Sequence, residues 1–152
     1  MKQFEFRLQK VMETTRAREE LQKRELGLAL GDLARNETLL VSMIDHLEEE
    51  VAQFAGRKVK GSIRVSALAQ YASYTDSLLT EINRQRQEIK KLARVVDEHR
   101  EKLLEITKDK KILERLKEKR FEEYRRKLRQ VEQKFMDEIS SRNFQNGMSA
   151  TD

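Results

Sequence analysis

The 152 residues include no proline, no cysteine and no tryptophan, only five glycines, and just 6% aromatics. Each absence removes a class of protein. Proline in a helix interior costs roughly 3 kcal/mol, so a chain without it can remain helical over most of its length. Without cysteine there is no disulfide framework and no thiolate zinc site, which fits a reducing cytosol. No segment approaches the ~18 uninterrupted apolar residues of a membrane span. Lys2, Glu5, Arg7 and Lys10 interrupt the first residues, so no signal-peptide core is expected there. Catalysis needs convergent groups in a sheltered cleft, and little here would build one. There are two histidines and no glycine-rich phosphate loop, and Asp97-Glu98-His99 lacks metalloprotease spacing. Glu48-Glu49-Glu50 reads as a solvated helix face. No enzymatic activity, cofactor or metal is expected.

What is present is charge on a periodic apolar pattern. Charged residues make up 39% of the chain and hydrophobic residues 38%. A globular domain of this size would need more large apolar side chains for a layered core. A disordered chain would share the polarity but lack sustained periodicity. Apolar residues spaced alternately by three and four instead predict a coiled-coil seam coated in solvated side chains. The expected fold is all-α: two long helices in one antiparallel coiled-coil hairpin over residues 1–145, with helix two overhanging helix one. The first helix is expected over 3–55, a hinge over 56–62, the second helix over 63–143, and a small, polar, disordered tail over 146–152.

In helix one the seam reads Leu30, Leu33, Glu37, Leu40, Ile44, Leu47, Val51 and Phe54. Phe4, Leu8 and Val11 keep the rhythm in another phase, with Gly27 and Gly31 expected to mark the drift between the two. Ser62 is the expected N-cap of helix two. The second seam reads Leu68, Tyr71, Thr75, Leu78, Ile82, Gln85, Ile89, Leu92, Val96, His99, Leu103, Ile106 and Leu113. A stutter follows, and the stripe resumes as Phe121, Tyr124, Leu128, Val131 and Phe135. A hairpin turning near Val59 would use up helix one where helix two reaches about residue 114. The overhang from Arg115 to Asn143 would then be ~40 Å long. Each large apolar side chain left bare there forgoes ~1.5–3 kcal/mol of burial, so a macromolecular partner is expected.

The formal net charge is +5. Between Lys108 and Lys134 lie twelve Lys/Arg and six Asp/Glu, so the basic excess belongs to distal helix two. Zipper-type DNA readers carry their basic region before a parallel zipper. Here the order is reversed, and Glu118, Glu122 and Glu123 are interleaved. Arg125-Arg126-Lys127 could hold phosphates non-specifically, but mixed charge on a long helix usually means a solvated face. No nucleic-acid partner is expected.

The opening Phe4-Glu5-Phe6-Arg7-Leu8-Gln9-Lys10-Val11, with Arg16 and Glu19 after it, resembles the start of the FliJ family of flagellar type III export proteins. Length, the single hinge, basic character and the lack of proline and cysteine agree over residues 1–143. The resemblance implies an antiparallel coiled-coil stalk, similar in shape to the rotor stalk of F-type ATP synthases. It implies a cytoplasmic location, peripheral to the inner-membrane flagellar basal body, with membrane contact only through partners. The implied partners are the export ATPase hexamer, whose assembly it promotes, the transmembrane export gate, and export chaperones. At the ATPase end the expected contacts are Phe4, Leu8, Phe121, Tyr124, Leu128 and Phe135, with Arg125, Arg126, Lys127 and Arg129 meeting acidic rim residues.

The family's gate-contacting patch carries over as two stripes, Leu39, Met43, His46 and Glu50 on helix one and Tyr74, Leu78, Glu81 and Gln85 on helix two. Tyr74 and Leu78 match the family's residue types, Met43 is an apolar substitute, and His46 is a looser match. Leu39, Glu50, Glu81 and Gln85 depart from the pattern. The gate-binding residues implied are therefore Met43, His46, Tyr74 and Leu78. Two alternatives stay open: the equivalent stalk of a virulence-type secretion injectisome, and a homodimeric spacer whose overhangs zip together.

Overall fold

The computed structural model describes residues 3–59, 61 and 63–148. Two helices account for nearly all of them, α1 (Gln9–Val59) and α2 (Val65–Met148), and there is no strand among the described residues. The fold is all-α, with the two helices packed against each other. Ser62, the expected cap, and residues 149–152 of the expected tail lie outside the described residues.

The boundaries differ from those read in the sequence. The first helix starts at Gln9 rather than at residue 3, its first turn closed by Gln9 N donating to the Phe6 carbonyl at 2.9 Å and Met12 N to that of Leu8 at 3.0 Å. Ahead of it, Phe4 and Phe6 are half-buried while Glu5 and Arg7 are exposed. That alternation belongs to extended chain; a helix would turn the two rings away from each other. The far end of α1 continues through Gly56 to Val59. A helical glycine costs about 1 kcal/mol without stopping the helix. The reversal uses Gly61 instead, at φ +91°, a left-handed conformation open chiefly to glycine, with its N–H 3.3 Å from the Lys58 carbonyl. The second helix starts at Val65 and runs to Met148, past the expected end at Asn143, because no proline is there to end it.

Contacts divide the chain into two units, Glu20–Leu104 and the pair of segments Met1–Glu19 with Glu105–Asp152. In the first of these the helices run antiparallel: Gln22 meets His99, Asn36 meets Gln85, His46 meets Tyr74, and Phe54 meets Tyr71. A turn at Val59 would have set Gln22 level with Val96 and Asn36 level with Ile82. Centring the turn on Gly61, two residues later, moves each partner along α2 and accounts for the difference.

The buried face of α1 here is Gln22, Leu26, Ala29, Leu33, Asn36, Leu40, Met43, Leu47, Glu50 and Phe54, an unbroken run of four- and three-residue steps. It keeps Leu33, Leu40, Leu47 and Phe54 from the expected seam, and expected Ile44, next to Met43, is half-buried as well. Leu30, Glu37 and Val51 are exposed, and Ala29, Asn36 and Glu50 take their places. Ala29 is 9% exposed against 38% for Leu30. Gly27 and Gly31 mark no phase drift, since the seam steps through them. On α2 the expected positions from Tyr71 to Leu103 all face inward, whereas Leu68 is exposed.

At Asn36 the reason for the substitution lies across the interface. Gln85 Nε2 donates to Asn36 Oδ1 at 2.8 Å and to the Asn36 carbonyl at 3.1 Å. A seam through Glu37 would bury a carboxylate where α2 offers an amide, and buried charge without a cation is costly.

In the other unit, Phe4 lies against Phe121 and Tyr124, Gln9 against Lys117, Arg16 against Glu114, and Glu19 against Lys110. The helices are again antiparallel. Leu8 and Val11 are exposed and Met12 and Thr15 are buried, so of the expected Phe4, Leu8 and Val11 only Phe4 belongs to the packed face. The stutter on α2 is present: Leu113, Lys117 and Phe121 follow at steps of four before the step of three to Tyr124. Extended residues advance ~3.3 Å each against 1.5 Å in a helix, so residues 3–6, ahead of the turn at 7–8, lengthen the cover on α2. Residues remain half-buried as far as Leu128, and the bare segment is Arg129–Asn143 rather than Arg115–Asn143. At helical rise it spans ~22 Å.

Candidate functional site

The expected gate-contacting residues gather at the turn end of the unit formed by residues 20–104. His46 Nε2 and the Tyr74 hydroxyl share a 2.8 Å hydrogen bond, with the rings edge-on at 6.3 Å. Both side chains are exposed. Met43 and Leu78 are half-buried seam residues. The hydrogen-bonded neighbour of Tyr74 on α1 is His46. Toward the turn, Phe54 and Tyr71 stack with centroids 3.8 Å apart and planes within 7°. An open groove next to them is lined by Glu50, Arg57, Ile63, Arg64 and Ala67. Sequence reasoning missed the stack because its partners stand on different helices, although each was assigned to its own seam.

The expected ATPase-contacting residues all fall in the other unit, in two states of cover. Phe4 packs against Phe121 edge-on at 5.2 Å and against Tyr124 at 5.6 Å. Arg125 reaches over the Phe121 ring, its guanidinium carbon 6.0 Å from the centroid. These three rings thus spend part of their surface on one another. Phe121 and Leu8 keep an exposed edge, while Tyr124 and Leu128 are half-buried. Arg125, Arg126, Lys127 and Arg129 are exposed.

Beyond them the apolar stripe is open. Phe135 is 61% exposed, and Val131, Met136 and Ile139 are exposed with it. Val131, Phe135 and Ile139 sit one helical turn apart on one face of α2. Met136 and Ile139 went unread in the sequence, although Ile139 stands four residues after Phe135 and continues the period. The same unit holds a buried polar cluster without a sequence forecast. Lys110 Nζ lies 2.8 and 3.1 Å from the two Glu19 carboxylate oxygens, and the Thr107 hydroxyl donates to Oε1 at 3.2 Å. Nothing in local spacing separates Glu19 from the many solvated glutamates; only its partners on α2 do.

No group of three or more His, Asp or Glu side chains that could hold a metal occurs among the described residues. No helix among them is long and apolar enough to cross a membrane. Two exposed features stand out: the tyrosine–histidine pair at one place, and a bare apolar stripe flanked by arginines at another.

A family model described as "Flagellar FliJ protein" matches residues 4–149 of the chain. No curated protein and no solved structure gives a significant match.

Proposed function

Given that the chain belongs to the flagellar FliJ protein family, we propose that it is a non-enzymatic stalk that binds the ATPase ring of the flagellar export apparatus and promotes its assembly. Family membership carries the flagellar export role itself. The contact with the ATPase is supported chiefly by the bare stripe of Val131, Phe135 and Ile139 on α2, which residues of α1 leave uncovered. A surface of that kind is stabilised by a partner. Arg125, Arg126, Lys127 and Arg129 beside it would steer toward acidic residues and raise the association rate.

In the same reading, exposed His46 and Tyr74 contact the export gate, together with the accessible edges of half-buried Met43 and Leu78. An exposed tyrosine with a hydrogen-bonded neighbour is a rigid, amphipathic anchor of the kind that carries interface energy. Escort of export chaperones is a further part of this reading, with the exposed faces of the helices as the surface available for it. The match to a flagellar family favours this system over an injectisome.

The experiment mixes the purified chain with the export ATPase from the same source. Hexamer formation or ATP turnover should rise with stalk concentration. Replacing Val131, Phe135 and Ile139 with serine should weaken that effect by tenfold or more, at ~1 kcal/mol or more per side chain. An ATPase indifferent to the unaltered protein over a wide concentration range would sink the proposal.

A further inference from the structure

The turn end of the unit formed by residues 20–104 has a charge pattern found nowhere else in the chain. Although 27 of the 152 residues are acidic, none lies between Glu50 and Asp76, while Arg57, Lys58, Lys60 and Arg64 all do. No other acid-free run in the sequence is as long. The structure brings most of this run to one end of the helix pair. The last turn of α1 contributes Arg57 and Lys58, and the first turn of α2 carries no acid. Arg57, Lys58 and Arg64 are exposed. Glu50 is the nearest carboxylate and stands at the inner end of the groove that Arg57 and Arg64 also line.

Apolar side chains are exposed among these cations. Val65 is 84% exposed and Leu68, one turn further along α2, is 50% exposed. Leu68 was read in the sequence as a seam residue, so its release to the surface is a result of the tertiary packing. Exposed aliphatic side chains beside a purely cationic cluster fit a layer that is anionic at its surface and hydrocarbon beneath. Long arginine and lysine side chains can lie along such a surface while Val65 and Leu68 enter it.

We infer that this tip contacts a membrane surface carrying anionic phospholipid. The inference stands on the charge and exposure of the tip and does not depend on the proposed ATPase or gate contacts. Single-stranded nucleic acid is the less suitable occupant, because base binding uses free aromatic faces. Here Phe54 and Tyr71 stack on each other, and the Tyr74 hydroxyl is bonded to His46. With few charges and two aliphatic side chains, binding is weak and reversible, and it would orient the tip at a membrane rather than anchor it.

The test floats the full chain with vesicles of equal parts phosphatidylglycerol and phosphatidylcholine, and with phosphatidylcholine vesicles alone, at low salt. Flotation with the anionic vesicles only is expected. Combining Arg57→Gln, Lys58→Gln and Arg64→Gln should lower the partition coefficient on the order of a hundredfold, about fivefold per charge. Val65→Ser with Leu68→Ser should lower it several-fold at unchanged net charge. Removing the same number of charges by Arg125→Gln, Arg126→Gln and Lys127→Gln should leave it nearly unchanged, and circular dichroism should show every variant as helical as the parent. Equal binding to both vesicle types would overturn the inference. So would loss of binding in the Arg125, Arg126, Lys127 variant but not in the tip variant. Binding of a single-stranded oligonucleotide through the tip residues, with no vesicle binding, would assign the tip to nucleic acid instead.

Discussion

Buried Glu19 and half-buried Lys110 form an ion pair across the two helices, 91 residues apart in sequence, with Lys110 Nζ 2.8 Å from one carboxylate oxygen and 3.1 Å from the other. The glutamate is 5% exposed, so its charge is largely desolvated, and Lys110 is the cation that meets it from the other helix. Lys110→Ala should therefore lower unfolding free energy by about 3 kcal/mol. Replacing both residues with apolar ones of similar size, Glu19→Leu with Lys110→Met, should bring stability back to within about 1 kcal/mol of the parent, because neither member of the pair is then left as an uncompensated charge. Urea unfolding of the three proteins decides it. A double variant as unstable as the single one would show that the pair is not the source of the loss.

Ala29 and Leu30 are neighbours with opposite surroundings. Ala29→Arg should cost more than ~2 kcal/mol, because a long cation would replace a methyl group against α2. Leu30→Arg should cost less than ~1 kcal/mol, as expected of a surface position. Thermal or urea unfolding measures both. The reverse order would restore the seam that hydrophobicity alone suggests.

Two glycines should respond in opposite directions to the same methyl group. Gly61 holds a left-handed φ, so Gly61→Ala should destabilise by about 1 kcal/mol or more. Gly27 is helical with open space where a Cβ would point, so Gly27→Ala should stabilise by ~0.5–1 kcal/mol. Equal effects at both sites, read from unfolding midpoints, would contradict the assignment of the turn to Gly61.

The Phe54–Tyr71 stack should be energetically coupled. In a double-mutant cycle with Phe54→Ala and Tyr71→Ala, a coupling of about 1 kcal/mol is expected beyond the burial each ring loses alone. Additive losses would mean the rings only fill space.

Much of this architecture is legible in the chain because helices announce themselves locally. The lack of proline over 152 residues and the three-four spacing from Leu33 to Phe54 and from Tyr71 to Leu103 require no knowledge of contacts. The turn is equally local, since two glycines in six residues mark it, although which of them reverses the chain is not. The candidate surfaces were read less well. Phe121 and Tyr124 carry a ring from an extended segment that helical periodicity treats as helix, and the bare stripe continues through Met136 and Ile139 beyond where the reading stopped.

The residues themselves determined that there would be two helices, roughly where they would turn, and that one stripe on each would face inward. They could not determine which of two adjacent residues, about 100° apart on the helix, would complete that stripe. Hydrophobicity favours Leu30, Glu37 is no worse a guess than Asn36, and Glu19 resembles any solvated acid. Only packing against α2 decided in favour of Ala29, Asn36 and Glu19. A buried amide or carboxylate is tolerated where a donor from the other helix meets it, and Gln85 and Lys110 lie 49 and 91 residues away along the chain.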